Sequence, residues 1–262
     1  RPLALLGLLL AVFVAVLKAP DMRQAWVRHK VADRVFEVRG KKEGGGGTGF
    51  QVKAASGESF IVTNSHVCEL AMEDGKDANF LLVKKGDHWM KRRILEVDDS
   101  ADLCLVEGWP KLEGLSLGEM PSVGDKVSAI GHPHLGPTTK TDGEVTAFTD
   151  VQIRHHFMPS GDKKKDKFFD VSKDASCNLP KNEIKKQEFY LFGFIPLGEM
   201  TMCMVNEEAS IQTNVVIFAG NSGSPLVDAS GNVIGVVFAA DMDTNWGFAV
   251  NLDHLKHLLK DF

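Results

Sequence analysis

The stretch that decides the fold is "IQTNVVIFAGNSGSPLVDASGNVIGVVFA", residues 211–239. Runs rich in Val, Ile and Phe alternate with Gly, Asn, Ser and Asp clusters, the pattern of short β-strands joined by tight turns. Its centre, Gly220-Asn221-Ser222-Gly223-Ser224-Pro225, is too dense in glycine and serine to be a strand. A serine hydroxyl is a weak nucleophile near neutral pH. To attack anything it needs a base, a group that orients the base, and N–H donors for the oxyanion that forms. A Gly-x-Ser-Gly turn supplies donors: Gly220 lets its N–H swing towards the site, and the N–H of Ser222 points the same way. That makes Ser222 the candidate nucleophile. Ser224, two residues on, is expected to pack beneath the turn as Pro225 starts the next strand.

Outward from this stretch the β pattern continues in two series. The first is "RVFEVRG", "TGFQVKA", "SFIVTNS", "ANFLLVKKG", "RRILEVDD" and "DLCLVEG". The second holds "DKVSAIGHP", "GEVTAFTD", "VQIRHHF", "TMCMVNE", "SIQTNVVIF", "SPLVDAS", "NVIGVVFAA" and "WGFAVN". "LGEMPSVGD" between them reads as a linker, and Gly44 to Gly47 as a flexible turn before "TGFQV". About six strands a side predict two small β-barrels or sandwiches. A closing helix is expected in "LDHLKHLLKDF", with Leu252, Leu255, Leu258 and Leu259 at helical spacing.

Composition agrees. The 262 residues include 25 glycines and carry a net charge of −5, so nothing favours a nucleic-acid partner. The four cysteines form no CxxC and are too few for a disulfide scaffold. Cys68 and Cys104 lie in apolar runs and read as buried thiols. Cys177 and Cys203 flank a polar insertion and can pair if the compartment is oxidising. No cofactor is called for.

The base and its orienter are sought in the first series. "FIVTNSHVCE" places His66 just past a β run, before a helical turn. "DDSADLCLVE" places Asp102 at the mouth of an apolar strand, where a carboxylate can be buried against an imidazole; Asp98 and Asp99 look solvent-facing. The order His66, Asp102, Ser222 puts two members in one series and one in the other, so the site belongs in the cleft between two barrels. A rival order takes Ser222, then Asp241, Asp243 or Asp253, then His254 or His257. It wants Gly-x-Ser-x-Gly, but position 224 is serine, and alternating strands and helices are missing. His132 and His134 in "GHPHLGP" invite a metal but have no evident third ligand.

Taken together, "IVTNSHVCE", "ADLCLVE", "VGDKVSAIGHP", "GEVTAF", the opening stretch and "WGFAVNLDHLKHLL" resemble, in order, the protease domain of the HtrA (DegP-like) family of trypsin-fold serine proteases. The resemblance covers roughly residues 33–158 and 205–260. It implies an all-β fold of two six-stranded antiparallel barrels, chymotrypsin-like, over about 35–118 and 119–262. It implies His66 as general base, Asp102 as orienter and Ser222 as nucleophile, with an oxyanion hole at Gly220 and Ser222 helped by Asn221. It also implies polypeptide substrates met by Val216, Ile217, Phe218, Val237, Phe238 and Ala239. No Asp stands in Val215–Phe218 to pair with Lys or Arg, so a small or medium aliphatic side chain is the expected choice. Family members often form trimers, so a homo-oligomer is expected. A catalytically idle trypsin-fold module that binds unfolded chains is the alternative.

Several features depart from the family. Ser224 stands for a more frequent glycine, and Thr213-Asn214 for a common Thr-Asp. The chain stops at Phe262, so gating by a following PDZ domain is expected to be absent from it. Asn221 occupies the place where digestive members keep an Asp for a new N-terminus, so activation of that kind is not expected. Residues 159–200 are an insertion holding the Lys-rich "GDKKKDK" and "PKNEIKKQE" and the apolar "FYLFGFIPL". The Lys-rich part reads as a solvated loop; the apolar part reads as a core strand or an exposed patch. Control by ordering of this insertion is the expected regulation. Upstream, Leu3 to Leu17 are uncharged; as a helix they span about 22 Å, which fits a signal or a short anchor. Residues 21–34 then connect, with a possible short helix. Lys18, Arg23, Arg28 and Lys30 after the segment favour a cytosolic domain, whereas the family favours a membrane-anchored or exported, extracytoplasmic one.

Overall fold

The computed structural model describes residues 27, 29–40, 45–72, 79–159, 185–191, 195–241 and 244–262, with residues 150–159, 185–191 and 195–209 described through backbone pairing alone. The Leu3–Leu17 stretch, residues 160–184 with Cys177, and Asp243 lie outside the described residues, as does any pairing of Cys177 with Cys203. Residues 29–32 are helical, and no helix among the described residues is long and apolar enough to cross a membrane.

The first β series closes on itself. Strands β1 (Val35–Arg39), β2 (Gly46–Lys53), β3 (Ser59–Thr63), β4 (Phe80–Lys85), β5 (His88–Asp98) and β6 (Leu103–Val106) form an antiparallel barrel in the order β1-β2-β3-β6-β5-β4. Pairing of Val38 with Val83 and of Arg39 with Leu82 closes it. Gly46 and Gly47, read as part of a turn, belong to β2 and pair with Arg39 and Val38. An eight-residue helix, α1 (Ser65–Met72), follows β3 and buries Val67, Cys68 and Ala71 against this barrel.

The second series builds a seven-stranded sheet from β7 (Lys126–Gly131), β8 (Thr139–Pro159), β9 (Lys185–Leu191), β10 (Ile195–Thr213), β11 (Pro225–Val227), β12 (Val233–Asp241) and β13 (Trp246–Asn251). Its order is β13-β12-β11-β7-β8-β10-β9, and a β13–β10 pairing closes the first six into the second barrel. β9 is added outside β10. "VQIRHHF" is therefore the far end of β8, and "TMCMVNE" and "SIQT" are one strand with a register shift between Asn206 and Ser210. "FYLFGFIPL" is split between β9 and β10, where Leu191 pairs with Ile195. Val215–Phe218 is outside any strand; Val215 and Ile217 are buried, Val216 and Phe218 exposed.

Helix α2 (Leu252–Leu258) ends the chain. Asn251 caps it, its side chain accepting from the N–H of Asp253 at 2.9 Å and of His254 at 3.3 Å. Leu252, Leu255 and Leu258 are buried in the main core with Leu259. The thiol reading of Cys68 and Cys104 is corrected: the two are joined as a disulfide across 36 residues of sequence. Both are fully buried, and burial in an apolar run looks the same for a thiol as for a bridge. In the chain-entropy account, closing a loop of this length is worth roughly 4 kcal/mol.

Candidate active site

His66 stands in the first turn of α1, and Asp102 directly before β6. The imidazole Nδ1 lies 2.9 Å from Asp102 Oδ2 and 3.0 Å from Oδ1. Asp102 Oδ1 also accepts from the backbone N–H of His66 at 3.1 Å and from the Ser65 hydroxyl at 3.2 Å. Residues at a helix start have N–H groups without intrahelical partners, and one here meets a carboxylate. Local chemistry aims the carboxylate. Asp98 accepts from the N–H groups of Ser100 and Ala101, which shapes the turn, and Asp102 itself has φ +51°. Asn64 donates from Nδ2 to the Asp102 carbonyl at 2.9 Å. Burial alone would lower the pKa of His66. The Asp102 charge and hydrogen bond, with the charge of Glu69, outweigh it and hold the imidazole above its ordinary value of 6.5.

The turn carrying Ser222 is held from both barrels. Phe218 O accepts from Asn221 N–H at 3.0 Å, and Gly220 has φ +93°, the signature of a type II turn with glycine third. A Cβ on Gly220 would sit 2.4 Å from His132 O. Gly223, φ +84°, comes so close to the first barrel that a Cβ would lie 2.0 Å from Thr48 O and 2.3 Å from Thr63 Oγ1. Thr48 is the main fastening. Its N–H donates to Ser222 O at 2.7 Å and its hydroxyl to Gly220 O at 2.7 Å.

These contacts bring the turn beside His66. Gly223 packs on Thr63, three residues before it, and Gly47 is wedged between Ser222 O and Val67, one residue after it. Among the described residues the Ser222 hydroxyl makes no hydrogen bond; in unliganded sites such bonds are often long and tighten with substrate.

The model of the trypsin-like peptidase domain matches residues 47–236, more than half the chain. The chain belongs to the trypsin-like peptidase family. Among solved structures this peptidase is similar to the Rv3671c protease from M. tuberculosis in its active form, at 20% identity and TM-score 0.57, covering 89% of this chain and 82% of that one. It is similar to the HtrA-type protease AlgW with a tripeptide, at 22% and 0.58, covering 90% of this chain and 62% of that one. The serine endoprotease from Yersinia pestis matches at 19% and 0.56, over 90% and 64%. At such identities the likeness is one of fold.

Within the peptidase the remaining candidate residues fall as follows. The N–H of Asn221 is committed to Phe218 O, that of Gly223 to Val237 O at 2.8 Å, and that of Ser224 to Asn221 O at 2.9 Å. Among the described residues the N–H groups of Gly220 and Ser222, on either side of Asn221, make no backbone hydrogen bond. The Asn221 N–H is thus turned to Phe218 O, and the Asn221 side chain is buried. Ala219 O accepts from His134 N–H at 2.5 Å; a planar trans peptide then turns the Gly220 N–H away from His134. Ser224 Oγ is fully buried without a partner, under the turn as expected.

Val237, Phe238 and Ala239 lie buried in β12, and Val237 gives its N–H to Ser224 O as well as its carbonyl to Gly223. Beyond it, Ala239–Asp241 pair with β13. Asp241 of the rival order ends β12, Asp253, His254 and His257 lie on α2, and the histidine–carboxylate bond at His66 joins two residues of the first barrel. His132 spends Nδ1 on Gly136 O at 2.8 Å, and the His134 ring packs on Phe218 with centroids 5.5 Å apart. Sequence reading missed Thr48, Asn64 and Ser65. Each is a polar residue in or beside a buried strand, the one signal that marks them.

Proposed function

We propose that this peptidase is a serine endopeptidase that cleaves unfolded or exposed polypeptide segments through an acyl-enzyme. His66 takes the Ser222 proton as the hydroxyl attacks the scissile carbonyl, then gives it to the leaving amine. Asp102 fixes the tautomer, with Nδ1–H towards the carboxylate, and stabilises the imidazolium. The free N–H groups of Gly220 and Ser222 receive the oxyanion. The observation that carries the reading is the His66–Asp102 bond at 2.9 Å beside a turn in which the N–H groups of Gly220 and Ser222 make no backbone hydrogen bond among the described residues. Extended substrate lies along β12 past Val237, in the manner of an added strand.

The preferred side chain is aliphatic and of small or medium size. Supporting this, a Cβ on Gly247 would lie 2.7 Å from Ile217 Cγ1, so Ile217 fills the space beside Gly247, and no acid lies in Val215–Phe218. The domain works on the extracytoplasmic side; the Cys68–Cys104 bond supports an oxidising setting. Attachment or export through Leu3–Leu17 is supported by that uncharged run, control by the insertion at 159–200 by its departure from the family pattern, and a trimeric assembly by the HtrA resemblance alone.

A fluorophosphonate probe tests the chemistry. It is expected to label Ser222, and Ser222→Ala is expected to abolish labelling and cut turnover of unfolded casein on the order of 10⁶-fold. No labelling of the unmodified protein would leave a trypsin-fold binding module instead. Cleavage-site profiling that returned Arg or Lys before the scissile bond would overturn the aliphatic pocket.

A further inference from the structure

The disulfide has a placement that the catalytic scheme does not use. Cys68 lies two residues after His66 on α1, and Cys104 two residues after Asp102 on β6, with Cα atoms 6.5 Å apart. The two supports are unequal. Cys104 is gripped in the ladder on both sides, by Thr63 of β3 and Val97 of β5. Helix α1 has eight residues, too few for a helix to persist by its own hydrogen bonds, and rests on Val67, Cys68 and Ala71. The covalent link therefore joins the weaker carrier to the stronger one, one half-turn of helix beyond the base.

We propose that Cys68 and Cys104 are positioning residues: their disulfide holds α1 against β6 so that His66 and Asp102 keep their pairing distance, and reducing it disables the enzyme. This rests on the serine-peptidase reading above. The reductant is a dithiol. One of its thiolates attacks one protein sulfur, breaks the S–S bond, forms a mixed disulfide and releases the other cysteine as a thiolate; its second thiolate then attacks the reagent sulfur and releases the first cysteine, both being protonated by solvent. The protein gains two thiols, and the reagent leaves as a cyclic disulfide, two electrons having passed. Both cysteines are fully buried, so the reagent enters only when α1 opens, and the oxidised enzyme survives mild reducing conditions.

Misplacing a catalytic group by about 1 Å costs on the order of 10²-fold. The Cys68→Ala/Cys104→Ala double variant is expected to lose tenfold or more in kcat while KM stays within about twofold. The acid limb of its kcat/KM profile is expected to move to lower pH. Asp102 and, from the same helix, Glu69 are the charges that hold the His66 proton, and a loosened pair holds it less well. The second measurement uses the unmodified protein in graded dithiothreitol. Thiols are counted by mass after alkylation, and fluorophosphonate labelling and far-UV circular dichroism are read on the same samples. Labelling is expected to slow in proportion to the reduced fraction while the spectrum stays native. This arm decides if the double variant does not fold. Unchanged kcat and acid limb in a folded variant, or reduced protein labelled at the oxidised rate, would overturn the proposal. So would loss of the native spectrum on reduction, since the bond would then support the fold rather than the pair. Oxidised protein that never labels speaks against the serine-peptidase reading, a separate failure.

Discussion

His66 joins activity and stability with opposite signs. It must be neutral to accept the Ser222 proton, and Asp102 and Glu69 outweigh burial to hold its pKa above 6.5. We expect kcat/KM to rise with pH through a limb above 6.5. The stability linkage runs the other way. A histidine whose folded pKa is raised adds stability that is full below 6.5 and is lost as pH rises through the folded value. Asp102→Asn should drop kcat by about 10⁴, move the limb down, and remove this pH-dependent share of stability. Urea midpoints of the two proteins, compared on either side of the limb, check the sign; equal differences at both ends would contradict it. The His66–Asp102 pair was legible because an imidazole base needs a carboxylate beside it and both residues stand at strand ends. The Cys68–Cys104 bond was not, because a partner 36 residues away in a buried strand leaves no local pattern.

At the scale of elements, β2 does more than close a barrel. Through Thr48 it holds the Ser222 turn by Ser222 O and Gly220 O, receives the N–H of His132 at 2.9 Å, and takes the Thr63 hydroxyl on its carbonyl at 2.7 Å. Thr48→Val keeps the shape and the backbone bond to Ser222. It orphans the Gly220 carbonyl and the His132 N–H, at about 1–3 kcal/mol each. We expect a stability loss of about 3 kcal/mol by urea unfolding and Ser222 labelling slowed about tenfold; unchanged labelling would mean the turn is held without it. Period-2 runs found most strands, yet they could not show which runs are one strand. β10 passes through the shift between Asn206 and Ser210 without ending, and Val215–Phe218 alternates buried and exposed residues with no ladder at all. Alternation reports which face is wet, and pairing is decided elsewhere in the chain.

Across the whole molecule, the His66–Asp102 pair belongs to one barrel and the turn carrying Ser222 to the other, so the proposed site exists only while the barrels stay in register. The connection between the two β series, from Leu115 into the first residues of "LGEMPSVGD" read as a linker, supplies that register. Leu115 N–H donates to Gln51 O, Leu115 O accepts from Lys53 N–H, and the Leu115 side chain is buried in the main core. Two residues on, Leu117 bridges to Val233, and the Gly118 N–H reaches Val233 O at 2.8 Å. The connection thus adds a piece of strand to each barrel. That core is shared as well. Phe50, Val52 and Leu105 of the first barrel cluster with Val233, Val236 and Leu252 of the second part, and Phe262 meets Phe60 edge-on at 5.2 Å. None of this was legible, since a segment with few apolar residues between two β series looks the same whether it is slack or paired. A shared core predicts one cooperative unit. Leu115→Ala should cost about 2–5 kcal/mol as a buried cavity, and unfolding followed by Trp fluorescence and by loss of Ser222 labelling should still coincide. If instead the labelling midpoint fell well below the fluorescence midpoint, the barrels would be separable bodies and the connection a tether.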